Sequence, residues 1–388
     1  YYQIVLDRTP FYAEMGGQVG DRGTLRDEAT GQTIEIFDTK RENGVGVHLA
    51  KEMPANPGAE FIAAIDTEAR NATERNHTAT HLLHQALREV LGSHVEQRGS
   101  FVSPDSLRFD FSHFQKLTPE EIQRVEHLAN KRVREAISLD EHRHMPIAEA
   151  REMGAMALFG EKYGEDVRVV RYGDSVELCG GTHVANTGNI GMIRIVSESS
   201  IAAGIRRIEA ITGTAVEDML DHISDTMRSI SALFNNAPDL LAAMRRSVEE
   251  NAELRRQVEA SMKERAHAIA LKASEKAEDF GSMRIATYRA PVPADVVKNI
   301  AFAVRSEAGD APIAFAAATS DAGKPLLTIM LTDSAVKATG LNAGAIVREA
   351  AKAIKGGGGG QPGFAQAGGK DAEGLAAALD KMLELLKA

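Results

Sequence analysis

The chain has 388 residues, 43% of them hydrophobic, which is enough for two or three domains with ordinary cores. No run of about 18 apolar residues occurs, so no membrane-spanning helix is expected, and one cysteine excludes internal disulfides and suits a reducing, cytoplasmic setting. The formal net charge of −10 argues against nonspecific, charge-driven binding to nucleic acid and leaves room only for confined basic patches.

The opening residues carry neither a signal-peptide pattern nor an initiator methionine, which points to a segment of a longer chain. Up to about residue 66, short β-rich runs (3–6, 34–37, 45–49 and 61–65) alternate with Gly and Pro clusters, which predicts a small β-barrel or sandwich. Residues 9–18, TPFYAEMGGQ, are too glycine-rich for the interior of an element. A helix is predicted over 67–91, with Thr67 as N-cap, Glu68 in the first turn, an apolar stripe of Leu83, Leu87, Val90 and Leu91, and Gly92 as its end. His84 lies near that stripe and reads as a packed histidine. Residues 93–102 and 107–111 read as strands. A helix over 118–137 follows, opened by a Thr118 cap, Pro119 and two glutamates. A shorter helix is expected over 145–153 and closing strands over 190–197 and 204–211.

Beyond about residue 214 the texture becomes helical, with helices over 218–234 and 240–277 broken at Asn235-Asn236-Ala237-Pro238. Apolar positions Leu241, Met244, Val248, Leu254, Val258 and Met262 are only roughly heptad-spaced, which favours a helical arm or hairpin over a parallel coiled coil. The last hundred residues alternate strand and helix: 283–288, 294–306, 312–319, 326–331, 343–354 and 375–386. They predict a small α/β domain. Within it, GGGGGQPGFAQAGG at 356–369 reads either as a linker or as a backbone N–H surface for phosphate, with Lys352 and Lys355 beside it. The expected fold class is α+β, divided at 1–66, 67–213, 214–280 and 281–388.

The chemistry is concentrated in two stretches. On a helix, residues four apart lie within about 40° of each other around the axis, so His77 and His81 of NHTATHLL can aim at one point. The only cysteine precedes a histidine by four residues in the glycine turn Cys179-Gly180-Gly181-Thr182-His183. A buried structural cysteine would have apolar neighbours on both sides, and this one is followed by Gly180, Gly181 and Thr182. Three imidazoles and one thiolate suit zinc, so His77, His81, Cys179 and His183 are the expected metal ligands.

NHTATHLL, CGGTH, the opening RTPFYAEMGGQVGD, and GSHVEQRGS followed by LRFDFSH resemble the editing domain of the alanyl-tRNA synthetase family. The same two dyads occur in free-standing alanyl-editing proteins and in the editing domain of bacterial-type threonyl-tRNA synthetases. The glycine-rich C-terminal run resembles the terminal domain of the alanyl enzymes alone among these, so the resemblance spans essentially the whole chain. It implies hydrolytic editing of tRNA(Ala) mischarged with serine or glycine, with a zinc ion and with Gln97, the glutamine of the GSHVxQ pattern, beside the scissile ester. It also implies that the 9–18 loop, including Gln18, lines the pocket, with Thr9 reading a substrate hydroxyl. Arg206 and Arg207 are adjacent on a strand, so only one of them can face tRNA, and Lys352 and Lys355 are expected to meet it near the glycine run.

The resemblance further implies a homodimer through the helical and C-terminal regions. The ATP-dependent aminoacylation domain of the family would lie upstream of Tyr1, and no P-loop pattern is present. A four-ligand zinc has no open position, which favours orientation or ligand exchange over water activation. Two other classes compete with this reading. One is an inactive tRNA-binding and dimerising module with structural zinc. The other is a nucleotide phosphoesterase, which would need an aspartate-rich metal cluster that is not found.

Overall fold

The structure, a computed structural model, describes residues 1–156 and 164–388. The fold is α+β and separates into two compact units, Tyr1–Ala232 and Leu233–Ala388.

The first unit begins with strands β1 (Tyr2–Val5), β2 (Gly23–Asp27), β3 (Thr33–Glu42), β4 (Val45–Ala50) and β5 (Phe61–Ile65). They form an antiparallel sheet in the order β1-β4-β3-β2-β5. The barrel expected here does not close, because β1 and β5 are opposite edges that do not pair. Closure is unnecessary for burial: Leu6 and Phe11 of the following loop cover the face formed by Leu25, Ile34, Ile36 and Ala50. Strand β2 escaped the sequence reading because only Leu25 of Gly23–Asp27 is an apolar core residue.

Next come α1 (Thr67–Leu91), β6 (Gln97–Val102), β7 (Leu107–Ser112), α2 (Pro119–Arg134), β8 (Asp140–Pro146), α3 (Ile147–Glu152), β9 (Asp166–Tyr172), β10 (Ser175–Leu178), β11 (Ile193–Ala202), β12 (Ile205–Thr212) and α4 (Thr214–Leu233). A four-stranded sheet, β11-β12-β7-β6, packs against α1 and α2, and β10-β9-β8 form a third sheet. The core of this part joins Leu82, Leu83, Ala86 and Leu87 of α1 to Phe109, Phe111 and Ile208 of the sheet and Val125 and Ala129 of α2. α2 starts with a complete capping box, in which Thr118 accepts from the Glu121 N–H and Glu121 accepts from the Thr118 N–H. α1 is capped by Asp66 rather than Thr67, since the Asp66 carboxylate accepts from the Ala69 N–H at 3.0 Å. The helix expected over 145–153 is shorter, because β8 runs to Pro146 as a strand made almost wholly of polar residues.

The second unit comprises α5 (Leu240–Glu275), β13 (Glu278–Phe280), β14 (Met283–Ala290), α6 (Ala294–Ala308), β15 (Ile313–Asp321), β16 (Lys324–Leu331), α7 (Asp333–Thr339), α8 (Ala343–Ala350), β17 (Gly357–Gln361), β18 (Phe364–Gly368) and α9 (Leu375–Lys387). The six strands form one sheet, β13-β14-β15-β16-β18-β17, parallel only between β14 and β15. Alternation along β15 sends Ala314 and Ala316 toward α8 and α9, and Phe315 and Ala317 toward α6 and the end of α5. Only the last third of α5 is packed, through Ala266, Ala270 and Ala273, while Leu241, Met244, Val248, Leu254, Val258 and Met262 are 38–71% exposed.

The glycine run is not a linker. Residues Gly357–Gln361 are a strand at the edge of the sheet, paired with β18. A Cβ at Gly358 or Gly360 would collide with the β18 backbone, so the close approach of the two strands demands glycine.

Truncating Leu82, which is fully buried between α1 and the sheet, tests this core. Leu82→Ala is expected to lower the unfolding free energy by about 2–5 kcal/mol in urea titrations of the whole chain.

Candidate metal centre and pocket

The middle of α1, from Asn76 to His84, is buried, so its polar side chains must find partners inside the protein. Asn76 donates to the carbonyls of Ser103 and Pro104 at 2.8 and 3.2 Å and accepts from the Thr212 hydroxyl at 2.7 Å. Thr80 donates to the Asn76 carbonyl one turn back. These bonds tie α1 to the β6–β7 turn and to β12 and fix its rotation. His77 and His81, one turn apart, then sit with ring centroids 5.4 Å apart.

The cysteine turn leaves β10 and meets them. The four donor atoms of His77, His81, Cys179 and His183 lie within 4.8 Å of one another. Cys179 Sγ is 3.4 Å from His77 Nε2 and 3.3 Å from His183 Nε2. Arg168 holds the turn in place by donating to the carbonyls of Cys179 at 2.9 Å and Gly181 at 2.6 Å, and its other edge pairs with Glu141. Gly181 is required by contact: a Cβ there would run into the His77 ring and the Gln18 amide oxygen.

Gln18 aims His77. Its Oε1 lies 2.7 Å from His77 Nδ1 and accepts from the Thr182 N–H at 2.9 Å, while its amide donates to the Thr182 hydroxyl. The backbone N–H identifies that atom as the oxygen, so His77 carries its proton on Nδ1 and turns the Nε2 lone pair toward Cys179. His183 Nδ1 is matched to the Thr78 hydroxyl at 3.1 Å. His81 lies 3.5 Å from Glu177, whose other oxygen is 3.1 Å from His84 Nδ1. His81 Nδ1 is buried without a hydrogen-bond partner, an orphan that a metal ion would satisfy.

Electrostatics prepares the same donors. Burial, and then the neighbouring His81, pushes the His77 imidazole down to about 3. Burial likewise lowers His81, and burial together with His77 and His81 holds His183 well below the ordinary histidine value. Burial alone would raise the Glu177 carboxyl, but His81 and the hydrogen bond from His84 bring it down to about 2. Three neutral imidazoles and a thiol are a donor set that fits a soft or borderline divalent ion such as zinc.

A cavity of about 270 Å³ opens beside these residues and is also lined by Tyr12, Thr80, Gln97, Ser100 and Arg168. Gln97 therefore shares this cavity with His77, His81 and Cys179. Thr9 is not on that lining: its hydroxyl is 2.7 Å from His48 Nε2 and accepts from the Phe11 N–H. Gln18 reaches the centre as the residue that orients His77, its carboxamide taken up by protein groups. Arg206 is buried against Glu198, and Arg207 forms a two-pronged pair with Asp110 at 2.6 and 2.9 Å. Lys352 and Lys355 belong to the second unit, where they pair with Glu349 and Asp371. Sequence reasoning missed Glu177, Arg168, Thr78 and Asn76. No local pattern marked them: a polar run such as NHTATH is what a solvent-facing helix also shows, and Arg168 and Glu177 lie far from it in sequence.

Three segments match known families: residues 1–69 the class II (A) tRNA synthetases, residues 167–209 the second additional domain of threonyl and alanyl tRNA synthetases, and residues 282–388 the DHHA1 domain. Fold, centre and matched segments together define a part of an aminoacyl-tRNA synthetase. The chain is 58% identical over 384 residues to the alanine–tRNA ligase of Bacteroides fragilis strain YCH46, and 58% identical over 384 residues to that of Bacteroides thetaiotaomicron. In each case the alignment takes in 99% of this chain and 44% of the relative. It belongs to the alanyl-tRNA synthetase family and spans less than half the length of the curated relatives it matches. A crystal structure of the C-Ala domain from Aquifex aeolicus alanyl-tRNA synthetase is 25% identical, covering 29% of this chain and 99% of that one, with a TM-score of 0.26 that adds nothing to the assignment.

Two measurements probe this region. Gly181→Ala, by wedging a methyl group between His77 and Gln18, is expected to destabilise the chain by about 1–3 kcal/mol, read from urea midpoints. The second concerns His48, fully buried between the Ile4 carbonyl and Thr9, with its pKa lowered by burial. Because the unfolded chain then takes up the proton first, stability is retained above the unfolded value near 6.5 and lost as pH falls below it. His48→Gln should flatten that loss by at most about 1.4 kcal/mol per pH unit, one proton's worth, in denaturation curves between pH 7 and about pH 5.

Proposed function

We propose that the Tyr1–Ala232 unit hydrolyses the ester linkage of mischarged tRNA, clearing serine or glycine from tRNA(Ala), and that the Leu233–Ala388 unit binds the same tRNA. The observation that carries this reading is the convergence of His77, His81, Cys179 and His183 on one point, with three of them, His77, His81 and Cys179, lining the cavity that Gln97 also lines. In the reaction, water adds across the ester: its hydroxyl bonds to the carbonyl carbon, the carbon–oxygen bond to the ribose breaks, and a proton ends on the ribose oxygen. Zinc held by these four residues would supply positive charge beside the ester, and with all four engaged its contribution is positional rather than water activation.

The chain's own groups do the rest. Gln97 presents an uncharged amide that can donate to the carbonyl oxygen and accept from the incoming water. Gln18 and Thr78 keep two imidazoles in register, and Arg168 keeps the cysteine turn from moving. Thr9 serves the site from outside the cavity lining, by holding the loop that carries Gln18.

For tRNA contact, Lys352 and Lys355 are exposed, and their ion pairs with Glu349 and Asp371 are weak enough in water to be exchanged for phosphate. Of the two neighbouring arginines, Arg207 retains more exposure than Arg206 and is assigned to the RNA side. The exposed apolar positions of α5 support a homodimer through that helix. In this reading the protein works in the cytoplasm, and ATP-dependent attachment of alanine belongs to sequence outside this stretch.

Deacylation of Ser-tRNA(Ala) and Gly-tRNA(Ala) by the purified chain, with zinc measured on the same sample, tests the reading. The expected result is about one zinc per chain and hydrolysis well above buffer. Gln97→Ala should lose about 10²-fold in rate with its zinc and melting temperature unchanged, while Cys179→Ala should lose zinc as well. Hydrolysis at the buffer rate by the intact, zinc-loaded chain would leave only a structural centre.

A further inference from the structure

The faces of α2 are sorted by charge in a way that packing does not require. Its inner face is buried: Val125, Ala129 and Val133 enter the core. Glu126 accepts from the Ile195 N–H at 2.9 Å and pairs with Arg194, and Asn130 bonds to both the N–H and the carbonyl of Ile193. Glu121 is used in the capping box. The mid-helix acid Glu126 thus faces the protein and Glu121 is taken up by the cap, while Glu120 stays exposed at the head of the helix. Outward point Arg124, His127, Lys131 and Arg134, all exposed and lining one shallow trough with Gln123, Leu128 and Glu120.

At 100° per residue these four positions fall within about 80° of arc, and at 1.5 Å per residue they run for about 15 Å. Among the described residues, Arg124, His127 and Arg134 have no ion-pair partner, and Lys131 has only Glu135, 3.7 Å away on the same helix and exposed. Ion pairs of that kind contribute little. Three permanent cations in line, Arg124, Lys131 and Arg134, on a chain of net charge −10 make a local field opposite in sign to the whole molecule. It matches the requirement for docking a nucleic-acid backbone, in which phosphates repeat at short, regular intervals and each neutralised phosphate releases counterions.

We infer that the Arg124–His127–Lys131–Arg134 stripe of α2 is the surface on which the first unit receives the phosphate backbone of its RNA substrate. The inference rests on the deacylase reading and adds to it a docking track that none of the motifs assigned. α2 packs against α1, the helix that carries His77 and His81, so RNA held on the stripe is held by the same unit as the pocket. Contacts to phosphate fix register and orientation without reading sequence, so the track is expected to act alike on any tRNA.

The test compares the full chain with the triple variant Arg124→Ala, Lys131→Ala, Arg134→Ala, using a tRNA(Ala) transcript as probe over a range of salt concentrations. Each lost phosphate contact should lower the slope of log affinity against log salt by about 0.7–0.9. The triple variant is thus expected to lose about 2–3 in slope, to bind about 10–100-fold more weakly near 0.1 M salt, and to keep the wild-type melting temperature. The charge-preserving Arg124→Lys, Arg134→Lys variant should bind within about threefold of wild type, because a point charge suffices for phosphate. If the triple variant does not fold, Lys131→Ala alone is read for a slope loss of about 1. Unchanged affinity and slope in the triple variant, with deacylation intact in the wild type, would overturn the stripe and leave the deacylase reading standing. A wild-type chain that binds no tRNA would overturn both, and so would a stripe whose loss alters binding to anionic phospholipid vesicles but not to tRNA overturn the RNA assignment.

Discussion

Helix α1 enters the protein with a row of polar side chains, and the interior obliges each to find a partner. Much of the first unit follows from that obligation. Asn76 draws in the β6–β7 turn and β12, Thr78 takes up the His183 ring and the Val184 N–H, and His77 is met by Gln18 from the loop after β1. A buried polar group left unmade costs about 1–3 kcal/mol, so this set of contacts discriminates strongly against any other packing of the helix. The donor centre is what remains when those demands are met: the nitrogen lone pairs not used by the protein are turned toward the cysteine turn.

The same burial sets the charge state. Imidazoles at the surface would be partly protonated near neutral pH and would repel a cation, whereas the desolvated rings of His77, His81 and His183 stay neutral. Glu177 stays ionised in the same interior because two histidines lie against it, and it places a negative charge beside the ring of His81. Donors, charge and orientation therefore come from one cause, the withdrawal of water from the middle of α1. A carboxylate behind a ligating histidine is the usual means of fixing a ring's orientation and raising its basicity.

The surface follows a complementary rule. Charges that the fold uses are turned inward or paired, as in Glu126, Arg206 and Arg168, and charges that it does not use collect in patches. That sorting is how an acidic chain can present cationic ground to a polyanion, and the exposed side of α2 is its clearest case. In the second unit β17 lies at the edge of the sheet with glycine at four of its five positions, paired closely with β18.

Local rules went far in this chain. The period of four between His77 and His81, the glycine bend between Cys179 and His183, the capping box of α2, the extent of α1 and most strands of the second unit were legible because each depends on a few neighbouring residues. What depended on distant partners was not. Whether the first five strands close or stay open turned on Leu6 and Phe11 reaching across the sheet, and whether the glycine run was linker or strand turned on the backbone of β18. Gln18 looked like a pocket residue until a turn more than 160 positions away, at Thr182, took up its amide. Glu177 and Arg168 carry no spacing that marks them. The sequence by itself determined which side chains could hold a metal, since ligand chemistry and helical period are properties of residues and their immediate neighbours. Only the tertiary structure decided that the two dyads share one buried point and which groups orient them, because burial and convergence are relations between parts of the chain that no local pattern encodes.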